Sequence, residues 1–134
     1  MKYWTILLLL PLGFFSCLPA ENDDPEILEG SYTTNPVLDV RCVALPANQL
    51  PSLEVVRNDG NTYDFILHQY FPEKKVKEFR RIRLEPADQG FMLRYENQEA
   101  GSWKKMAFLD NRKILTLSLM DGGEFVYFVG EKKR

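Results

Sequence analysis

The sequence predicts an all-β fold, an antiparallel up-and-down meander of about eight to nine strands closed into a small barrel. Three observations carry that expectation. From residue 30 onward apolar and polar residues alternate in short runs, the two-residue period of strands with one buried face. Gly, Asn, Asp and Pro separate those runs at nearly regular spacing. No window shows the period of an amphipathic helix. Connections mostly of two to five residues make sequential strands antiparallel neighbours. An open meander of that length would leave two apolar edges, and closure removes them. A two-sheet sandwich is the second arrangement the pattern allows.

Gly30–Thr34 opens the domain. Val37–Ala44 alternates Leu38, Val40, Cys42 and Ala44 against Val37, Asp39, Arg41 and Val43, and the first set is expected to face the core. A loop with Pro46 and Pro51 leads to Ser52–Arg57. Asn58-Asp59-Gly60-Asn61 signals a hairpin, because positive φ is cheapest at Gly and Asn. Thr62–Tyr70 sets Tyr63, Phe65 and Leu67 on one face. Phe71–Lys75 turns the chain into Val76–Glu85, where Phe79 and Ile82 fall out of phase and predict a bulge near Arg80-Arg81. Ala87–Gly90 reverses it into Phe91–Tyr95, and Asn97–Gly101 turns it again into Trp103–Leu109. Asp110-Asn111 precedes Lys113–Met120, and Asp121-Gly122-Gly123 precedes the last strand, Glu124–Val129. The chain closes on the basic tail Lys132-Lys133-Arg134.

Upstream of the domain, Lys2 supplies a positive start, Ile6–Leu10 an apolar run, and Gly13-Phe14-Phe15-Ser16-Cys17 a processing site. Pro11 and Gly13 break the run, which is shorter than the roughly 20 residues a membrane-spanning helix needs. The stretch ending in Cys17 resembles the lipobox of bacterial lipoproteins, although Phe14 and Phe15 are bulkier than is usual there. The resemblance implies export, removal of residues 1–16 as a signal peptide, and acylation of Cys17 as the new first residue. Two or more acyl chains anchor stably to a bilayer. The other reading is an ordinary secretory cleavage after Ala20. Residues 17–29 then form an acidic tether with two prolines, whose few apolar side chains cannot offset its chain entropy. The Glu21–Glu26 cluster also looks like acidic stretches that send some Gram-negative lipoproteins to the cell surface. A plain linker explains it equally well. The expected address is the cell envelope, lipid-anchored at the outer membrane of a Gram-negative bacterium, periplasmic or surface-exposed.

Removing 16 of the 134 residues leaves 118, with one domain over residues 30–134. That segment set loses one Lys and no acid, so 16 basic face 19 acidic side chains. Such a balance argues against nucleic acid as a partner. With Cys17 acylated, Cys42 has no disulfide partner and is most simply a small core hydrophobe.

The domain resembles the lipocalin-like lipoproteins. Leu28-Glu29-Gly30-Ser31-Tyr32 stands where that superfamily carries Gly-x-Trp in its first strand, with Tyr32 replacing the Trp, and hairpins follow over residues 28 to 130. The resemblance implies a barrel that binds lipids, pigments or proteins, and it does not fix the ligand.

Catalysis lacks parts. The one His, His68, falls on a polar strand face with Asp64 as its same-face neighbour, and no nucleophile elbow, HExxH or phosphate loop is present. No enzyme activity is expected. Asp59, Asp64, Asp121 and Glu124 lack calcium-loop spacing, and one Cys with one distant His is no zinc set, so no metal or cofactor is expected. Two binding candidates remain. Six cations fall within Lys74–Arg83; Lys77, Arg80, Arg81 and Arg83 are the candidate anion-binding ridge for acidic headgroups or polysaccharide, against a simple solvated strand face. Tyr63, Phe65, Leu67, Phe91, Leu93, Tyr95, Phe125 and Tyr127 are the candidate ligand-lining set, with Leu115, Leu117 and Leu119 beside them. An eight-strand interior is just wide enough to be filled by side chains or to hold one small ligand, and so many large residues favour filling. The expected function is a binding or structural role at the envelope, anchored through Cys17, with a small apolar ligand or an envelope protein as partner. The alternative is a protein-interaction or inhibitor module with a solid core and no small-molecule ligand, using loops such as Ala44–Pro51.

Overall fold

Turn residues set where the chain reverses, and the strands follow. The computed structural model describes residues 28–133, so the leader, Cys17 and the acidic tether as far as residue 27 lie outside the described residues. Gly122-Gly123 (φ 58° and 85°) and Glu96-Asn97 (φ 47° and 66°) make two-residue turns with both central φ positive, the twist that matches flanking strands. Asn58–Asn61 closes a longer hairpin, with Asn58 N–H donating to the Thr62 carbonyl at 2.9 Å.

Between the turns run eight strands: β1 Gly30–Thr33, β2 Ser52–Arg57, β3 Thr62–Gln69, β4 Lys75–Ala87, β5 Gly90–Tyr95, β6 Gln98–Met106, β7 Arg112–Asp121 and β8 Glu124–Lys132. Each pairs antiparallel with the next, and β1 returns to β8, so the sheet closes as an up-and-down barrel of the lipocalin-like kind. Among the described residues there is no α-helix, only short 3-10 turns.

The expected bulge is present. Tyr63 faces Ile82 and Phe65 faces Phe79, so Arg80 and Arg81 share the space opposite Asp64. Arg81 takes φ 62°, and its N–H donates to Asp64 Oδ1 at 3.1 Å. The extra residue keeps both Phe79 and Ile82 facing inward. A second bulge leaves Ala100 unpaired between Gly101, opposite Leu93, and Glu99, opposite Arg94. Gly101 therefore lies inside β6 at φ 136°. The expected turn over Asn97–Gly101 shortens to Glu96-Asn97 because this glycine serves the bulge.

The eight-versus-nine ambiguity resolves to eight because Val37–Ala44 is no strand. The chain makes 3-10 turns over Val40–Ala44 and Ala47–Gln49. Of the side chains expected to face the core, Cys42 is buried, whereas Val40 is 76% exposed. The cause is local. Asn35 Oδ1 accepts from Val37 N–H and Leu38 N–H, and Asp39 Oδ1 accepts from Arg41 N–H. These side-chain bonds give the backbone an alternative to a strand ladder.

The barrel has two unlike ends. The floor carries the 58–61, 88–89 and 107–111 connections and the entry of the chain. Leu28 is fully buried there, and the Tyr32 hydroxyl donates to its carbonyl at 2.6 Å. The mouth carries the 96–97 and 122–123 turns, the β3–β4 connection and the 18-residue stretch 34–51 between β1 and β2, called the strap below. Between the ends the lumen is filled by Tyr32, Tyr63, Phe65, Phe79, Trp103 and Phe128 with the leucines of β3, β5 and β7.

Candidate functional site

Eighteen residues is long for a connection in a small barrel, and such loops are commonly functional. Its course follows from β1, which has four residues against nine in β8. β1 meets β8 only at Tyr32↔Lys132 and Thr33↔Glu131. Beyond Thr33 the wall lacks a strand beside the mouth half of β8, and Asn35-Pro36 turns the chain aside. The strap runs over this gap and leaves a cleft of about 400 Å³, within the range of small-ligand sites.

Three parts of the fold line the cleft. The strap contributes Asp39, Arg41 and Cys42; the end of β3 and its turn contribute Tyr70 and Phe71; β8 contributes Tyr127. Arg41 organises the polar side. Its Nε donates to Asp39 Oδ1 at 2.9 Å and its Nη2 to Asp39 Oδ2 at 2.7 Å, a two-point charge-assisted contact. The guanidinium carbon lies 4.7 Å from the Tyr127 ring centroid, a cation–π distance. Asp39 is buried whereas the Arg41 side chain is 59% exposed. The hydrogen bonds from Arg41 hold the Asp39 carboxyl below its ordinary value, and the same contact raises Arg41. Three of the five N–H donors of Arg41 have no partner among the described residues. Burial, then the nearby Asp39, pushes the Cys42 thiol up, which keeps it a poor nucleophile. The cleft thus combines aromatic faces, a locally neutralised ion pair and free planar donors. Among the described residues that line it, none form a nucleophile–base pair.

No protein-family model matches the chain, and neither a curated protein nor a solved structure matches it. The site is therefore described by its own geometry.

The candidate ligand-lining residues divide into three groups. Tyr63, Phe65, Leu67 and Leu93 are fully buried in the filled lumen, and Phe91 and Tyr95 pack half-buried against it. The Phe79–Tyr95 rings meet edge-on at 5.6 Å, and Phe91 stacks on Trp103 at 6.0 Å. Tyr127 alone of the set lines the cleft. The inward assignment of Phe125 and Tyr127 is corrected. Val126 and Phe128 face the lumen opposite Leu119 and Leu117, whereas Phe125 is 60% exposed. Residues 125–129 are all apolar, so the strand carries no alternation to fix its phase, and the leucines of β7 decide it.

The candidate anion-binding residues do not act as one ridge. Lys77 shares a face with inward Leu67 and reaches across the mouth to Glu124 on the opposite wall, Nζ to Oε2 at 2.7 Å. Hydrogen bonding and charge from Lys77 lower the Glu124 carboxyl. Arg80 pairs with Glu78 at 3.3 Å, Arg81 occupies the bulge, and Arg83 lies exposed between Thr62 and Arg94. His68 approaches Glu54 at 3.9 Å rather than Asp64, because four residues along an extended strand span about 13 Å; Asp64 is instead held by Arg81 N–H and Asn58. Among the described residues no three His, Cys, Asp or Glu side chains converge as a metal site would need.

Sequence reasoning missed Asp39, Arg41, Tyr70 and Phe71 as a site. The signal was Asn35-Pro36, which starts turns rather than strands, with Asp39 two residues ahead of Arg41.

Proposed function

We propose that this chain is an exported lipoprotein of a bacterial cell envelope, held at the outer membrane of a Gram-negative cell by lipid on Cys17. Its barrel serves as a non-enzymatic binding domain. The apolar run ending in Ser16-Cys17 supports the anchor. The observation that carries the binding role is a filled lumen beside a cleft of about 400 Å³ lined by Tyr70, Phe71, Tyr127 and Arg41. Ligand capacity in this barrel lies under the strap, where a small apolar ligand or a segment of an envelope protein would fit. The interaction-module reading draws support from exposed Val37, Val40 and Val43 on the strap, more apolar surface than a solvated loop needs.

Two measurements test the proposal. Wild-type protein is expected in the membrane fraction and Cys17→Ser in the soluble fraction; equal partitioning would reject the anchor. A fluorescent fatty-acid probe titrated against wild type and Arg41→Ala distinguishes the ligands. Probe binding weakened severalfold by Arg41→Ala indicates a small apolar ligand in the cleft, and no probe binding favours a protein segment.

A further inference from the structure

The gap that makes the cleft also leaves a strand edge open. Lys133 N–H donates to the Ser31 carbonyl at 2.7 Å, so main-chain groups of alternate β8 residues face β1 from that end. Antiparallel ladders alternate strictly, which puts the N–H and C=O groups of Glu131, Val129, Tyr127 and Phe125 on the β1 side. The other end agrees. The two-residue turn Gly122-Gly123 closes on the pair Asp121↔Glu124, so Glu124, Val126, Phe128 and Gly130 face β7. β1 satisfies Glu131 and then stops at Thr33. Among the described residues no strand and no strap backbone group bonds the main chain of Phe125, Tyr127 or Val129 on that side. The strap covers the gap through side chains, Arg41 over Tyr127, without pairing.

From this edge we infer that the cleft takes an extended peptide segment of a partner protein, which adds to β8 as the strand that β1 does not continue. The inference rests on the cleft being the binding surface and is independent of the lipid anchor. Three N–H and three C=O groups in a straight row, repeating about every 7 Å, are complementary to another extended backbone. A fatty acid or a sugar offers no such row. Side chains beside the row give such a segment apolar contacts. Phe125 is exposed, stacks on Tyr127 at 6.3 Å and pairs with half-exposed Met120 on β7. Exposure also sets the direction of entry: Phe125 is 60% exposed and Val129 only 7%, so the segment seats first at the mouth and then under the strap.

Amide hydrogen exchange by NMR on the full chain in detergent micelles tests this. In the free protein, the amides of Phe125 and Tyr127 should exchange at least tenfold faster than those of Val126 and Phe128, which bond to β7. The probe is the capped hexapeptide Thr-Val-Thr-Val-Thr-Val, with a control N-methylated at every second amide. Addition of the probe should slow exchange at Phe125 and Tyr127, and the control should not. Phe125→Pro removes an N–H that no neighbour uses, so it should keep the fold and weaken the probe at least tenfold, whereas Val126→Pro breaks the β7 ladder. Protection of Phe125 and Tyr127 without probe, in a monomer, would overturn the inference because the strap itself would then pair. The same protection in a sedimenting dimer would overturn it in favour of a second copy of this chain. Failure of the probe to protect either amide would overturn it as well. If the fatty-acid probe nonetheless binds, the binding role of the cleft survives; if neither binds, both fall.

Discussion

β8 is held differently on its two sides, and the difference separates a densely paired wall from an open one. Toward β7 it forms eight consecutive residue pairs, from Ile114↔Glu131 to Asp121↔Glu124. Toward β1 it forms two. On the first side, main-chain bonds and the inward Leu115, Leu117 and Leu119 act together, so stability is dense and the surface is spent. On the second side, contact depends on the strap, whose polar side chains replace a ladder. One short strand therefore leaves a closed barrel with an unpaired edge while its lumen stays filled.

The contrast makes the lumen costly to disturb and the strap cheap, and substitutions can break or sharpen it. Phe65→Ala removes a fully buried ring and should cost about 3–5 kcal/mol in urea unfolding; a loss under 1 kcal/mol would show the lumen to be loose. Gly101→Ala comes next. A Cβ there would lie 1.9 Å from the Thr116 carbonyl oxygen, at φ 136°, so backbone strain of about 1–3 kcal/mol adds to the displacement of β7. Thermal unfolding should register a clear drop in Tm. Tyr32→Phe should cost about 1–2 kcal/mol by leaving the Leu28 carbonyl without its donor. Arg41→Ala should cost about 1 kcal/mol: the side chain is mostly solvated, but buried Asp39 keeps only the Arg41 N–H as donor. It should nevertheless speed amide exchange through residues 37–45. Equal exchange in both proteins would mean that Arg41 does not hold the strap.

Acid should separate the two regions further. The Asp39 carboxyl is lowered from 3.8 by hydrogen bonds from Arg41, and Glu124 from 4.5 by Lys77. A lowered folded value means the unfolded chain takes up the proton first. The stabilisation is complete above the ordinary values and disappears as pH falls through the lowered ones. Exchange protection in the strap and at the mouth should therefore fail below about pH 4 while the lumen amides stay protected. Simultaneous loss everywhere would deny the strap its independence.

Most of the barrel was legible in the sequence because one buried face imposes a two-residue period. Tyr63, Phe65 and Leu67 on β3 and Leu115, Leu117 and Leu119 on β7 fall where that period puts them. Phe79 and Ile82 even betrayed the bulge by breaking it. Two kinds of residue escaped. Phe125 and Tyr127 lie in an all-apolar run where period carries no phase, so only pairing with β7 could orient them. Val37–Ala44 shows the converse error: its alternation is genuine in the sequence, yet the side-chain oxygens of Asn35 and Asp39 capture the local N–H groups and wind the chain into 3-10 turns. The site was hidden for that reason. Its residues come from the strap, one turn and one strand, and they meet because β1 stops short, a length that periodicity does not encode.

The seal between Tyr32 and Leu28 has an orientational consequence. The polypeptide enters the domain at the sealed pole, fastened by a buried hydroxyl, and the strap occupies the other pole. Strands of about nine residues at the usual tilt separate the two by roughly 20 Å. The chain therefore joins the barrel at one pole, and the margin of β8 that β1 leaves unpaired lies at the other, so the two are kept apart by the length of the strands.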